Sequence, residues 1–155
     1  MNKLIDTKIT ELQGYCLMVQ FLDYYYFETY ADDVGALLGG MHFLQDGKTA
    51  DPAFWEDWIE GLYEARGLGK RDFNDIQKVS SKITLLEAYC GMLKFLEEFS
   101  GWDDIGELLK NIQMESDCCS ITDTPTWKKW VICLEEILAE KDLIDKFLLR
   151  IGPKE

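Results

Sequence analysis

Few side chains in this sequence could do chemistry, and most of those are carboxylates. Two adjacent pairs stand out, Asp32-Asp33 and Asp103-Asp104. Paired acids can hold magnesium or act as acid and base. Each pair also opens an apolar periodic run, which places it at a helix N-terminus. There a carboxylate takes free backbone N–H groups and meets the positive end of the helix dipole, a gain of about 0.3–2 kcal/mol. Neighbours on a helix diverge by about 100°, so capping is favoured over catalysis. An enzyme or metal protein using these pairs is the opposing reading, and it requires metal binding that is lost when Asp33 and Asp104 are changed.

The other reactive residues are similarly restrained. One histidine, His42, removes most His-dependent catalysis and most zinc sites, and the ferritin-like di-iron pattern needs two Glu-x-x-His motifs. His42 falls near the end of a predicted helix, where a structural or capping role suits it. Cys16, Cys90, Cys118, Cys119 and Cys133 are odd in number and irregular in spacing, which is no disulfide framework. The adjacent Cys118 and Cys119 make no Cys-x-x-Cys knuckle; all five read as buried or loop thiols kept reduced. Gly35, Gly39 and Gly40 follow no strand and form no phosphate loop. Trp55 and Trp58, and Trp127 and Trp130, have the spacing of an aromatic cage, but core anchors fit them better. No catalytic residue, metal ligand or cofactor is expected.

The elements that carry these residues come in two copies. Thr10–Leu22 aligns with Thr84–Leu96 without a gap, matching Tyr15 to Tyr89, Cys16 to Cys90, Met18 to Met92, Phe21 to Phe95 and Leu22 to Leu96. After a three-residue deletion Asp32-Asp33-Val34-Gly35 meets Asp103-Asp104-Ile105-Gly106, and Leu37-Leu38 meets Leu108-Leu109. Further on, Trp55, Trp58 and Leu62 meet Trp127, Trp130 and Leu134. Duplication is the simple explanation. The repeats cover residues 9–65 and 83–140, with a connector over 66–82.

Each unit reads as three helices. The first spans about Glu11–Phe27, and Leu85–Phe99 in the second copy. Leu12, Tyr15, Cys16, Val19, Leu22 and Tyr26 give it amphipathic spacing, and Thr10 with Gln13 and Thr84 with Glu87 stand at capping-box spacing. The second helix covers about Asp32–Phe43 and Asp103–Met114. Gly39-Gly40 weakens its end by about 1 kcal/mol per glycine, and Asp46-Gly47 signals a turn. The third begins at Asp51-Pro52 and ends near Gly67; its copy starts at Asp123–Pro125 and runs to about Glu140. A seventh helix is expected over Asp142–Ile151, and a short helical turn within Lys70–Lys82. No strand alternation is read anywhere. The fold class is all-α, a single domain: a helical bundle of two duplicated three-helix units plus a C-terminal helix, or a short stack of helical hairpins.

Charge is distributed along the same plan. The 155 residues carry a net charge of −13, with 47% hydrophobic and 13% aromatic residues, enough for a real core. Residues 9–65 hold a net −10, the connector +3 and residues 83–140 a net −8. This field repels phosphate backbones, so nucleic acid is not an expected ligand, and it favours encounter with a basic protein. No run reaches the roughly 18 apolar residues of a membrane span, and Met1–Asp6 has no long apolar segment. Neither a membrane nor a signal peptide is expected, and the cytoplasm is the expected compartment.

Two features exceed what the fold needs. Glu56, Glu60 and Glu64 lie at spacing four on the third helix beside Asp57, and like charges so placed repel by a few tenths of a kcal/mol each. The second unit carries Lys128 and Lys129 where the first has Glu56 and Asp57. Tyr24, Tyr26, Phe27 and Tyr30, with Asp23 and Glu28 among them, form the other feature, since Glu98 stands opposite Tyr24 and no tyrosine run follows it. They suit an interface anchor; packing under the connector or between the units is the other reading, and both stay open here.

The stretch Asp32-Asp33-Val-Gly-Ala-Leu-Leu-Gly-Gly-Met41, with Asp46-Gly47, Ala50-Asp51-Pro52 and Trp55-Glu-Asp-Trp58, resembles the immunity proteins of bacterial contact-dependent growth-inhibition (polymorphic toxin) systems. The likeness is clearest over residues 10–65 and recurs more weakly over 84–138, where Lys110-Asn111 replaces Gly39-Gly40 and the Asp-Gly turn is lost. It implies a protein without enzymatic activity that binds a cognate toxin domain one to one and blocks its active site or substrate groove. Many such toxins are basic nucleases, whose substrate an acidic inhibitor mimics in charge. The resemblance transfers no contact residues, so the partner-binding set comes from surface chemistry: Asp23, Tyr24, Tyr26, Phe27, Glu28, Tyr30, Glu56, Asp57, Glu60 and Glu64. The contrasting expectation is an acidic helical adaptor or regulatory module unrelated to toxins.

Overall fold

A computed structural model describes residues 6–67 and 82–149. Its helices are α1 (Glu11–Thr29), α2 (Asp32–Met41), α3 (Pro52–Ala65), α4 (Leu85–Glu97), α5 (Asp103–Cys118), α6 (Pro125–Leu138) and α7 (Leu143–Lys146). The all-α bundle is therefore the fold. One expectation is corrected: two three-residue strands exist, β1 (Lys8–Thr10) and β2 (Lys82–Thr84). They pair antiparallel with Ile9 opposite Ile83, so the same tripeptide, Lys-Ile-Thr, meets itself. Three residues are too few for an alternation to register. The expected turn within Lys70–Lys82 falls mostly outside the described residues; Lys82 itself opens β2.

Local chemistry explains most helix ends. Thr10 and Thr84 form full capping boxes with Gln13 and Glu87. Asp51 caps α3, with Pro52 at its first position. Thr124 caps α6 by accepting from Trp127 N–H. Several spans differ from expectation; α4 stops at Glu97 and α6 at Leu138, each short of its expected end. Helix α1 runs on to Thr29 and stops at Tyr30, which takes a left-handed conformation at φ 55°. Helix α2 ends at Met41, where His42 Nδ1 donates to the Leu38 carbonyl at 2.7 Å. Helix α5 extends to Cys118, and α7 is one short turn rather than a helix to Ile151.

The two units do not stack side by side; they interlock. Helix α3 lies along α4 of the other unit, and α6 lies along α1, so each third helix crosses to its neighbour. Trp58 and Trp130 are fully buried at these crossings. Trp58 donates its indole N–H to the Glu11 carbonyl at 3.3 Å, and Trp130 to the Leu85 carbonyl at 3.4 Å, the equivalent bond in the other half. Trp55 and Trp127 are 5% and 3% exposed, which settles the tryptophans as core anchors rather than a cage. The same two-fold relation appears at the paired aspartates. Each accepts from the other's helix: Asp33 N–H donates to Asp104 Oδ2 at 3.1 Å, and Asp104 N–H to Asp33 Oδ2 at 2.9 Å. The carboxylates do cap helix N-termini, but across the units, since Ala31 and Trp102 occupy the N-cap positions.

The halves are not equally tight. Gly61 and Gly91 let α3 and α4 approach until a Cβ on Gly61 would meet Lys94 Cβ at 3.1 Å, and one on Gly91 the Leu62 Cα at 3.2 Å. At the matching α1–α6 crossing the equivalent positions hold Cys133 and Leu17, which carry side chains where α3 and α4 have none.

One buried bond also failed to survive duplication. Tyr15 OH donates to the Met41 carbonyl at 2.7 Å, a free acceptor because α2 ends there. The matching residue, Ile112, lies inside the longer α5, where the helix uses its carbonyl. The Tyr89 hydroxyl is buried with no partner at full hydrogen-bond geometry; it lies beside Thr124, whose hydroxyl donates to the Ile121 carbonyl and accepts from the Trp127 N–H, leaving Tyr89 at most a weak contact there. Tyr15→Phe should therefore cost about 1–2 kcal/mol and Tyr89→Phe close to nothing, read as urea midpoints of the two variants. Equal losses would show that Tyr89 is bonded after all.

Candidate protein-interaction face

The interlocked arrangement generates two equivalent surfaces, one on the α3/α4 pair and one on the α1/α6 pair. The residues expected to bind a partner divide between them. Glu56, Asp57, Glu60 and Glu64 belong to α3/α4, while Tyr24, Phe27, Glu28 and Tyr30 belong to the end of α1 beside α6. The partner-binding set read from sequence therefore divides between two faces of the fold.

On the α1/α6 face the polar groups satisfy one another. Glu28 meets Lys129 Nζ at 2.9 Å, and Tyr24 OH donates to Glu136 at 2.6 Å. That carboxylate holds the Tyr24 hydroxyl proton, pushing its pKa up. Phe27 and Tyr30 are 73% and 69% exposed and Ile132 of α6 is 55% exposed, so an apolar strip accompanies these pairs. Tyr26 is half-buried; it packs at 6.1 Å against Tyr30 and covers Gly35, where a Cβ would come within 2.8 Å of its ring. It is a packing residue. Tyr30 keeps a left-handed backbone that costs a non-glycine residue about 1–2 kcal/mol. Asp23 faces elsewhere: burial raises its pKa, while His42 and Lys146 partly restore the charged form. It serves the α2 and α7 ends rather than either face. A cleft between α1, α5 and α6, lined by Phe21, Tyr25, Leu108, Ile112 and Lys129, opens beside Tyr24.

The α3/α4 face has the opposite character. Glu56 and Glu60 are exposed along α3, and Glu97 and Glu98 are exposed at the end of α4. Asp57 lies between them with its pKa raised, first by partial burial, then by Glu98, Glu60, Asp51 and Glu56. Lys94 lies 3.9 Å from both Glu64 and Glu97, and Arg66 at the end of α3 meets Glu87 of α4 at 3.4 Å. Beneath the acids runs an aromatic series: Phe54 touches Phe95 and Phe99 at 5.9 and 5.5 Å, and Phe99 touches Trp102 at 5.4 Å. Trp102 surfaces at 40% exposure. Sequence reading missed Glu97, Glu98 and Trp102 because they belong to unit two; only the cross-unit packing brings them beside α3.

Among the described residues, no group of three or more His, Cys, Asp or Glu could hold a metal ion, and no helix is long and apolar enough to cross a membrane. Because the folded state raises the Asp57 pKa, native protein holds the proton in a window above the ordinary value of 3.8 and its ionised form destabilises the fold at neutral pH. Asp57→Asn should then raise the urea midpoint at pH 7 and confer no gain once the pH falls below that ordinary value. An unchanged or lower midpoint at pH 7 would show that the Asp57 charge is not under strain.

Comparison with protein-family models, with curated proteins and with solved structures found no match for this chain.

Proposed function

We propose that this protein is an immunity protein that binds a cognate toxin domain one to one in the cytoplasm and neutralises it by covering its active site or substrate groove. The observation that carries this reading is the divergence of two equivalent faces. The α1/α6 face pairs its charges, with Lys129 against Glu28. The α3/α4 face holds Glu56 and Asp57 at the positions of Lys128 and Lys129 and keeps them in mutual repulsion with Glu60 and Glu98. The fold accepts the relaxed version, so the repulsive one serves something outside the chain. A basic surface is the partner that relieves it, and a nuclease domain carries such a surface in its substrate groove. The likeness of residues 10–65 to growth-inhibition immunity proteins points the same way. No enzymatic step belongs to this reading.

The test is affinity capture with a tagged chain from its native organism, followed by binding kinetics with the domain recovered. One stoichiometric, basic toxin domain is expected. Charge reversal at Glu56, Glu60 and Glu64 together should slow its association and flatten the salt dependence of binding. Recovery of nothing, or of a housekeeping complex, would favour the acidic adaptor reading instead.

A further inference from the structure

The last turns of α5 have no counterpart in unit one. Helix α2 stops at Met41, whereas α5 continues past the equivalent Ile112 to Cys118. Apart from Glu115, which accepts from the Thr126 N–H at the start of α6 at 3.1 Å, the extension serves neither capping nor the buried core, Ile112 being its last buried residue. What it carries is sulfur. Met114 and Cys118 stand four residues apart, on one helix face with Cβ atoms about 5–6 Å apart. Cys119 follows in extended backbone at φ −161°, and its Sγ turns back toward the Glu115 carbonyl at 3.7 Å. Met114, Cys118 and Cys119 all line one open cavity with Asn111, Glu115 and Pro125.

Exposure separates this group from the other thiols. Cys118 and Cys119 are exposed, and Met114 is 56% exposed, unusual positions for side chains that normally bury. Cys16 and Cys133 are buried and Cys90 is partly buried. Burial pushes all three up, Cys133 to about 12, so they form thiolates poorly.

We infer that Met114, Cys118 and Cys119 form a binding site for a soft monovalent cation, Cu(I), in a three-sulfur environment. Two thiols and a thioether are a soft donor set that selects Cu(I) over harder ions. Zinc requires a fourth ligand; Glu115 is already committed to the Thr126 N–H at 3.1 Å, and His42 lies on another element. Binding converts both thiols to thiolates, releases two protons to solvent, forms two copper–thiolate bonds and adds one thioether lone pair. The copper stays Cu(I) throughout, and no other reactant takes part.

The test is an anaerobic titration of the fully reduced chain with Cu(I) buffered by bicinchoninate. The wild-type chain should withdraw one equivalent and show the ultraviolet thiolate-to-copper absorption. The double variant Cys118→Ser, Cys119→Ser should withdraw none, with unchanged circular dichroism because both positions are exposed. Cys90→Ser should behave as wild type, and Met114→Leu should weaken retention at least about tenfold. Failure of the wild-type chain to compete, retention by the double serine variant, loss in Cys90→Ser, or full affinity in Met114→Leu would each overturn the site.

Discussion

The crossing of the third helices is the constraint on which the rest of the molecule depends. An isolated unit would leave the inner face of α3 or α6 without the helix it packs on, because that helix belongs to the other unit. Trp58 shows this directly: a Cβ on Gly14 of its own unit would meet it at 3.0 Å, and one on Gly91 of the other unit at 3.2 Å. Trp130 repeats the arrangement, bonding Leu85 of its own unit and packing at 6.0 Å on Phe21 of the other. Burying a side chain of this size contributes several kcal/mol, and neither unit secures that burial alone. The Ile9–Ile83 strand pair and the reciprocal Asp33–Asp104 bonds lie on the same pseudo-two-fold relation. They fix where the halves meet rather than supply the bulk of the stability, since each such bond contributes only about 0.5–3 kcal/mol net.

What could be read from sequence follows from this division. Periodicity, capping boxes and proline at the first helical position are local signals, and they located the long helices and identified Thr10, Thr84 and Asp51 as caps. The repeat was legible because Tyr15 and Tyr89, or Trp58 and Trp130, keep their identity where burial is complete. The partner of each helix was not legible. Periodicity says that α3 has an apolar face, not which helix covers it. Thus Glu98 was compared with Tyr24 as a position in the repeat, while its physical neighbour is Asp57. The paired aspartates illustrate the same limit: their place at helix starts was local information, and the helix each one caps was not. Helix α5 ran long because no glycine pair interrupts it, Lys110-Asn111 standing where α2 has Gly39-Gly40.

Duplication also supplies an internal control that a single-copy protein lacks. A surface charge on an isolated helix can always be assigned to solubility. Here one backbone arrangement occurs twice, and the two copies solved the surface differently. On α1/α6, Lys129 stands at the position equivalent to Asp57 and makes the 2.9 Å pair with Glu28. On α3/α4, the same positions stayed acidic, and α4 brought Glu97 and Glu98 to meet them. Exposed ion pairs contribute little, about 0–1 kcal/mol each, so stability does not explain the difference. Solubility does not either, because the charge of −13 is spread over both units. What distinguishes the acidic face is an excess of one sign over a tight, glycine-mediated crossing.

Rigidity and repulsion together fit a surface built for association. Like charges held on a flexible surface relax by moving apart, and their strain is small and diffuse. On α3/α4 the close approach at Gly61 and Gly91 fixes the helix spacing, so the acids relax only by taking protons or by meeting cations. The raised Asp57 pKa, set first by partial burial and then by the neighbouring acids, includes the first of these responses. On the proposed reading, the second is contact with a basic partner, which would remove the repulsion at the moment of binding and turn strain in the free protein into affinity. The aromatic series from Phe54 through Phe99 to Trp102 passes beneath the acids and surfaces at Trp102, the side chain that the proposed reading would bury beside the charge contacts.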